Sequence, residues 1–189
     1  MLDTSLEWYR VILKRNAGTL LPQASLPKGF SFEMFQAGDE ESWAEIETSV
    51  LEFNSKEVAL EYFTKNYLVY LNEVKLRTLF IKADDGEKIG TFTAWWRYTG
   101  IRRHPFVQWV AVKPRFQGLG LGKAIIAQGI RHMIDLEGDQ IMYIPTSTWA
   151  YKAIKLYKWA GFELELYENA PGGYENQTVQ ALELIRDRI

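Results

Sequence analysis

The stretch Trp109-Val-Ala-Val-Lys-Pro-Arg-Phe-Gln-Gly-Leu-Gly-Leu-Gly-Lys-Ala-Ile-Ile126 decides how this chain is read. Residues 107–112 are apolar apart from Gln108, the pattern of a strand covered on both faces. Pro114 has no N–H to donate and ends the ladder. Gly118, Gly120 and Gly122 follow at alternate positions. Glycine tolerates positive φ and lets the backbone approach a ligand. Beyond them Ile125, Ile126, Gly129, Ile130, Met133 and Ile134 recur at helical spacing. The stretch is therefore strand, glycine turn, helix. The amides opening such a helix have no intrahelical partner and sit at the positive end of its dipole, so an anion is their natural guest.

The kind of anion follows from spacing. A P-loop needs a glycine five residues before Gly122-Lys123 and a hydroxyl after it; the chain has Gln117 and Ala124 there. A dinucleotide fingerprint needs one more residue before its last glycine. A nucleotide-binding module would rest on the glycine turn alone, and such a turn also serves as an ordinary strand–helix connection. What remains is Gln-x-x-Gly-x-Gly at Gln117, Gly120 and Gly122. In this the sequence resembles the GNAT superfamily, the acetyl-CoA-dependent N-acetyltransferases. A second pattern of that family, Ala-x-x-x-Tyr-x-x-x-Gly-Phe, stands at Ala153, Tyr157, Gly161 and Phe162. Two patterns in order are far more specific than either alone, and the resemblance covers roughly residues 29–185.

Composition agrees. Hydrophobic residues make up 47% of the 189 and aromatics 14%, which suits a packed domain. A net charge of −2 argues against general nucleic-acid binding. With no cysteine there is no thiolate nucleophile or zinc–thiolate site, and His104 and His132 are too few for a histidine metal centre, so no metal is expected. No apolar run approaches the roughly 20 residues that span a bilayer, and Asp3, Glu7, Arg10 and Lys14 interrupt any signal-peptide core. These features point to a cytoplasmic protein with no membrane partner.

In order, residues 5–15 read as a short helix with Leu6, Tyr9 and Leu13 on one side, and residues 19–29 as a linker. Residues 1–28 then form an extension before a domain at 29–189. The extension packs on that domain or serves as a dimerisation arm, which leaves a homodimer open. Strands are expected at 30–35, 76–82, 89–97, 107–112, 140–144, 162–168 and 177–185. Helices are expected after Asp39, with Trp43, Ile46 and Val50 inward, and after an Asn54–Glu57 capping box, with Val58, Tyr62 and Phe63 inward. Gly100 to Pro105 reads as a basic loop. The fold class is α/β (α+β): a mixed, mostly antiparallel twisted sheet of about seven strands flanked by helices, with splayed central strands as in the GNAT family.

The resemblance implies a site. Acetyl-CoA, a cosubstrate, would lie between the strands at 107–112 and 140–146, with main-chain groups of Val110, Ala111 and Val112 on its pantetheine. Gln117, Gly118, Leu119, Gly120, Leu121, Gly122 and Lys123 would hold the pyrophosphate by their amides, with charge from Arg115 and Lys123. Thr146, Thr148 and Ala153 would line the cofactor. Tyr157 takes the family's general-acid position: a phenol is protonated at neutral pH and can donate to the leaving sulfur. A backbone N–H near Val110 would polarise the thioester carbonyl. The family's usual asparagine is Ala150 here, and the strand before the glycine turn offers Gln108 and Trp109 where a glutamate base is common. Glu52 stands as a substitute base, beside a water relay or an amine that arrives unprotonated. Trp95, Trp96, Trp109 and Trp149 are pocket walls or core. The acidic helix at Glu40–Glu47 attracts a cationic amine or is simply solvated. The expected function is acetyl transfer from acetyl-CoA to a primary amine of a small-molecule or peptidic acceptor; a non-catalytic acyl-CoA sensor on the same fold is the alternative.

Overall fold

The computed structural model describes residues 2–189. Its strands are β1 (Arg10–Arg15), β2 (Phe30–Met34), β3 (Thr78–Ala83), β4 (Lys88–Thr99), β5 (Arg102–Val112), β6 (Met142–Ser147) and β7 (Glu163–Glu165). Its helices are α1 (Glu40–Ser49), α2 (Lys56–Asn66), α3 (Leu71–Arg77), α4 (Leu121–Glu137), α5 (Tyr151–Trp159) and α6 (Thr178–Ile185). The strands form one mixed sheet in the order β2-β3-β4-β5-β6-β1-β7. β2 with β3, β3 with β4, and β1 with both β6 and β7 are antiparallel. β5 and β6 run parallel, with Phe106 opposite Tyr143. A seven-stranded mixed sheet flanked by helices is what the sequence predicts.

The chain divides into two compact units, residues 23–93 with 109–132, and residues 2–22 with 94–108 and 133–189. In the first, α1 buries Trp43, Ala44, Ile46 and Glu47. Asp39 stands at its N-cap, although its carboxylate accepts from the Gln36 amide rather than from the helix. On α2 the capping residue is Ser55, whose hydroxyl accepts from the Val58 amide at 3.3 Å. The cap lies one residue later than the Asn54–Glu57 pattern predicts. The helix therefore buries Ala59 and Phe63, and Val58 is turned outward. Helix α3 is absent from the sequence reading, which begins a strand at 76; the strand starts at Thr78, directly after it. Within α4, Gly129 is required by space: a Cβ there would come within 2.5 Å of the Phe92 ring.

The second unit corrects three expectations. Residues 10–15 are a strand, not part of a helix over 5–15. Val11, Ile12 and Leu13 are all fully buried and β1 has a neighbour on each side, the condition that favours a continuous apolar run over an amphipathic helix. Residues 178–185 are helix α6 instead of a strand, with Thr178, Ala181 and Ile185 buried at helical spacing. The count of seven is kept because β1 enters the sheet and the expected last strand leaves it. The basic segment at 100–105 is mostly strand: β5 begins at Arg102, and the Arg103 guanidinium donates to Glu137 at 2.7 Å. Among the described residues no helix is long and apolar enough to cross a membrane.

Candidate functional site

In the first unit β5 continues its pairing as far as the Lys113 amide, which donates to the Ile89 carbonyl at 2.8 Å. One 3-10 turn over Pro114–Phe116 then carries the chain to Gln117. The Gln117 side chain donates back to the Val112 carbonyl at 2.8 Å, fixing the turn to the end of the strand. Gly118 and Gly120 have φ of +84° and +83°, and a Cβ on either would meet nothing within 4 Å. Backbone conformation, not space, demands these glycines. The first bond of the α4 ladder runs from the Ala124 amide to the Gly120 carbonyl at 3.1 Å. The amides of Leu121, Gly122 and Lys123 precede that ladder. Leu121 is buried and anchors the helix, whereas Leu119 and Lys123 are exposed. A turn with alternating left-handed residues at a helix start is a concave array of amides suited to an anionic oxygen cluster. A diphosphate fits this chemistry.

The cations differ from the simple expectation. Arg115 is paired with Glu87 and lies over the Phe116 ring, and Lys113 is 2.8 Å from the same carboxylate. Lys113 and Arg115 together hold the Glu87 carboxyl below its usual value despite partial burial. The charge of Arg115 at the turn is thus partly offset.

Val110 is half-buried, and Ala111 and Val112 are buried. Just before them Trp109 adopts φ of +54°, a left-handed conformation inside a strand. For a bulky residue that is a true outlier, and it re-aims the adjoining peptide groups as a bulge does. Packing holds it there: the indole N–H donates to Tyr67 Oη at 2.6 Å, and the ring meets Trp43 at 5.1 Å, Tyr62 at 5.5 Å and Phe53 at 5.8 Å. The sequence carries no signal for this inversion, since residues 107–112 read as an unbroken strand. The same side of α1 carries Glu47, which is 3% exposed. Burial, and the neighbouring Glu52, push its carboxyl well above the ordinary value.

In the second unit Tyr157 is buried on α5. Its carbonyl accepts from the amides of Ala160 and Phe162, both at 3.0 Å, and Gly161, at φ of +88°, closes the helix. Ala153 lies one turn earlier and is half-buried, as is Thr146 on β6 opposite Val11. The Thr148 hydroxyl donates to the Glu7 carbonyl at 2.6 Å and accepts from the Tyr9 amide at 3.1 Å, so it ties residues 7–9 to the start of α5. The Trp149 indole donates to the Leu6 carbonyl at 2.7 Å. Gln108 donates to Tyr174 Oη at 3.5 Å, as does Arg97 at 3.2 Å. Among the described residues no cluster of His, Cys, Asp and Glu is arranged to hold a metal ion.

The family model of the acetyltransferase (GNAT) family matches residues 40–162, more than half of the chain. The chain belongs to that family, and it carries a GNAT acetyltransferase domain. Two curated relatives, mycothiol acetyltransferases of Pseudarthrobacter chlorophenolicus and Paenarthrobacter aurescens, are each 28% identical, over 148 and 161 residues. Each alignment covers 75% of this chain and 45% of the relative, so the chain spans less than half the length of these proteins. Among solved structures, a GCN5-related N-acetyltransferase from Sphaerobacter thermophilus superposes with a TM-score of 0.62 at 18% identity, over 82% of this chain and 48% of that one. A tandem GNAT protein from the clavulanic acid biosynthesis pathway gives 0.60 at 15% identity, over 82% and 50%. These structures share the fold.

Proposed function

We propose that this protein transfers an acetyl group from acetyl-CoA to a primary amine. The observation that supports this most directly is the turn at Gln117–Lys123, where left-handed glycines and the amides opening α4 form an anion cradle directly after a strand. Those amides hold the pyrophosphate, and main-chain groups of Val110, Ala111 and Val112 take the pantetheine. Thr146, Thr148 and Ala153 are kept in the proposed cofactor set. When bound, the cofactor supplies the thioester carbon. The inverted peptide geometry at Trp109 offers a backbone donor beside Val110 for the developing oxyanion. Tyr157 holds a proton for the departing sulfur.

Calorimetry with acetyl-CoA tests the first half, with a Kd below about 1 mM expected and no binding overturning it. Thiol release across an amine panel, with the acetylated product identified by mass spectrometry, tests the second. A second reading, acyl-CoA binding without catalysis, draws on Ala150 and on the absence of a carboxylate at Gln108 and Trp109. Steady thiol release with any amine rules it out.

A further inference from the structure

The loop between β7 and α6 is braced so as to place one phenol. Its run Ala170-Pro-Gly-Gly-Tyr174 closes on itself, with the Ala170 amide donating to the Tyr174 carbonyl at 3.1 Å. Ala170 is buried with Ile12 and Phe106. The Asn176 carboxamide donates to the carbonyls of Glu165 and Glu168, both at 2.9 Å. Gly172, at φ of +78°, lies against Arg97: a Cβ there would come within 2.7 Å of the Arg97 Cβ. The Tyr174 ring stacks on Phe106 at 5.6 Å. A loop tied at this many points fixes where its side chain goes.

What surrounds that phenol is one-sided. Arg97 donates to Tyr174 Oη through Nε at 3.4 Å and Nη2 at 3.2 Å, and Gln108 through Nε2 at 3.5 Å. The hydroxyl accepts these bonds, and its own proton has no acceptor among the described residues. The Arg10 guanidinium lies 5.3 Å from the centre of the Tyr174 ring and 5.2 Å from that of Trp8. Rings alone hold it, and among the described residues no carboxylate pairs with Arg10. Gln177 fixes its main chain from both sides, Oε1 accepting from the Arg10 amide at 3.0 Å and its own amide donating to the Arg10 carbonyl at 3.2 Å. All of these residues belong to the second unit. Two guanidiniums border one ring whose hydroxyl still has a proton to give, and an anionic oxygen group is the guest that answers all three. Guanidinium bonds to such oxygens run at about 2.7–2.9 Å, shorter than those Arg97 makes to the phenol, so an anion beside Tyr174 offers Arg97 the stronger contact.

We propose that the acceptor amine carries an anionic oxygen group, a carboxylate or a phosphate, which Arg10, Arg97 and the Tyr174 hydroxyl hold. This rests on the acetyl-transfer reading above. Along the chain Gln108 of β5 comes first, then Val110, whose peptide is proposed to meet the thioester, then the turn proposed to take the coenzyme's phosphates. The anion group thus precedes the reacting point and the coenzyme's own anions follow it, which favours the second substrate as its guest. Tyr174 shares its proton in a hydrogen bond and the arginines supply charge. None of the three touches the reacting atoms, so they determine specificity. Trp8 and Tyr174 hold the Arg10 guanidinium in place before the acceptor arrives, which lowers the cost of ordering it. A site of this kind separates substrates that carry the matching group from isosteres that lack it.

The test uses the full chain and matched amines that differ in the anionic group: glycine with glycinamide, 4-aminobutyrate with butylamine, L-phenylalanine with 2-phenylethylamine, and phosphoethanolamine with ethanolamine. Thiol release gives kcat/KM for each, and the quantity read is the ratio within a pair. In the parent at least one pair favours its anionic member about 30-fold or more. Tyr174→Phe, which keeps the ring stack, and Arg10→Gln each cut that ratio about 10-fold, while calorimetry shows that both variants still bind acetyl-CoA. A preference confined to phosphoethanolamine supports the site and assigns a phosphate; one confined to the other pairs supports it and assigns a carboxylate. Ratios near one in every pair overturn the proposal and leave the acetyl-transfer reading standing. So does a preference that both variants keep, even where they slow both members of a pair. If the parent binds acetyl-CoA and acetylates no probe, each anionic member is titrated into the CoA-bound chain. Binding with a Kd below about 1 mM that Tyr174→Phe abolishes supports the site, and no binding overturns it. Failure to bind acetyl-CoA overturns the acetyl-transfer reading and this proposal with it.

Discussion

The indole nitrogen of Trp109 donates a 2.6 Å hydrogen bond to the hydroxyl of Tyr67, and it does so from a left-handed position in the middle of β5. The bond joins the strand that leads into the glycine turn to the end of α2. Tyr67→Phe takes away the acceptor of this half-buried indole N–H while the ring stack is kept. The expected cost is about 1–2 kcal/mol, read as a lower urea midpoint at unchanged m-value. Trp109→Ala loses the ring as well and keeps the backbone strain, so it costs more, about 3–5 kcal/mol.

Three glycines separate two kinds of constraint. At Gly118 and Gly120 the surroundings are open and only φ is unusual, so alanine costs about 1–2 kcal/mol each from backbone strain. At Gly129 φ is ordinary, but the Phe92 ring occupies the space. Alanine there costs about 1–3 kcal/mol through overpacking, against the roughly 1 kcal/mol that helix propensity would return. Thermal melts separate these effects from function: the first pair also weakens acetyl-CoA binding in calorimetry, whereas Gly129→Ala leaves it within a few-fold.

The legible parts of this molecule are those with local causes. The strand at 107–112, the turn at 117–123 and helix α4 announce themselves through short-range rules of proline, glycine and apolar period, and they lie where the spacing puts them. The misread termini depend on distant partners. Val11-Ile-Leu13 suits either a helix face or a strand covered on both sides, and only the company of β6 and β7 decides. Gln177–Ile185 reads as extended in isolation but packs as a helix, with the Thr178 hydroxyl accepting from the Ile12 amide at 3.0 Å. Within the site, Glu52 is visible in sequence because it stands in a loop. Glu47 is hidden among solvated acids until the helix phase shows which one faces inward.

That inward carboxyl has a consequence for stability. Its folded-state pKa is raised, so the folded protein prefers the protonated form. The two states are equally protonated below the unfolded value near 4.5, and the burial penalty grows as pH rises above it. Glu47→Gln removes the ionisable group and therefore the penalty. The variant should melt higher than the parent at pH 8, with the gap closing toward pH 4. A variant less stable than its parent at pH 8 would contradict the charge-burial account.

Glu165 behaves in the opposite sense. Burial alone would raise its carboxyl, but Lys14 at 2.6 Å and the amides of Tyr167 and Glu168 at 3.1 and 3.2 Å outweigh that and hold it at about 2. The pair joins β7, a strand of three residues at the sheet edge, to the buried strand β1. Because the folded value is depressed, the stabilisation is complete above the unfolded value near 4.5 and is lost as pH falls from there toward 2. The side chain is 12% exposed, so solvent screens the pair only in part. Glu165→Gln is expected to cost about 2 kcal/mol at pH 7 and to converge with the parent near pH 2. Amide exchange at Glu163–Glu165 should quicken in the variant at pH 7, since a strand this short has little else to keep it paired with β1.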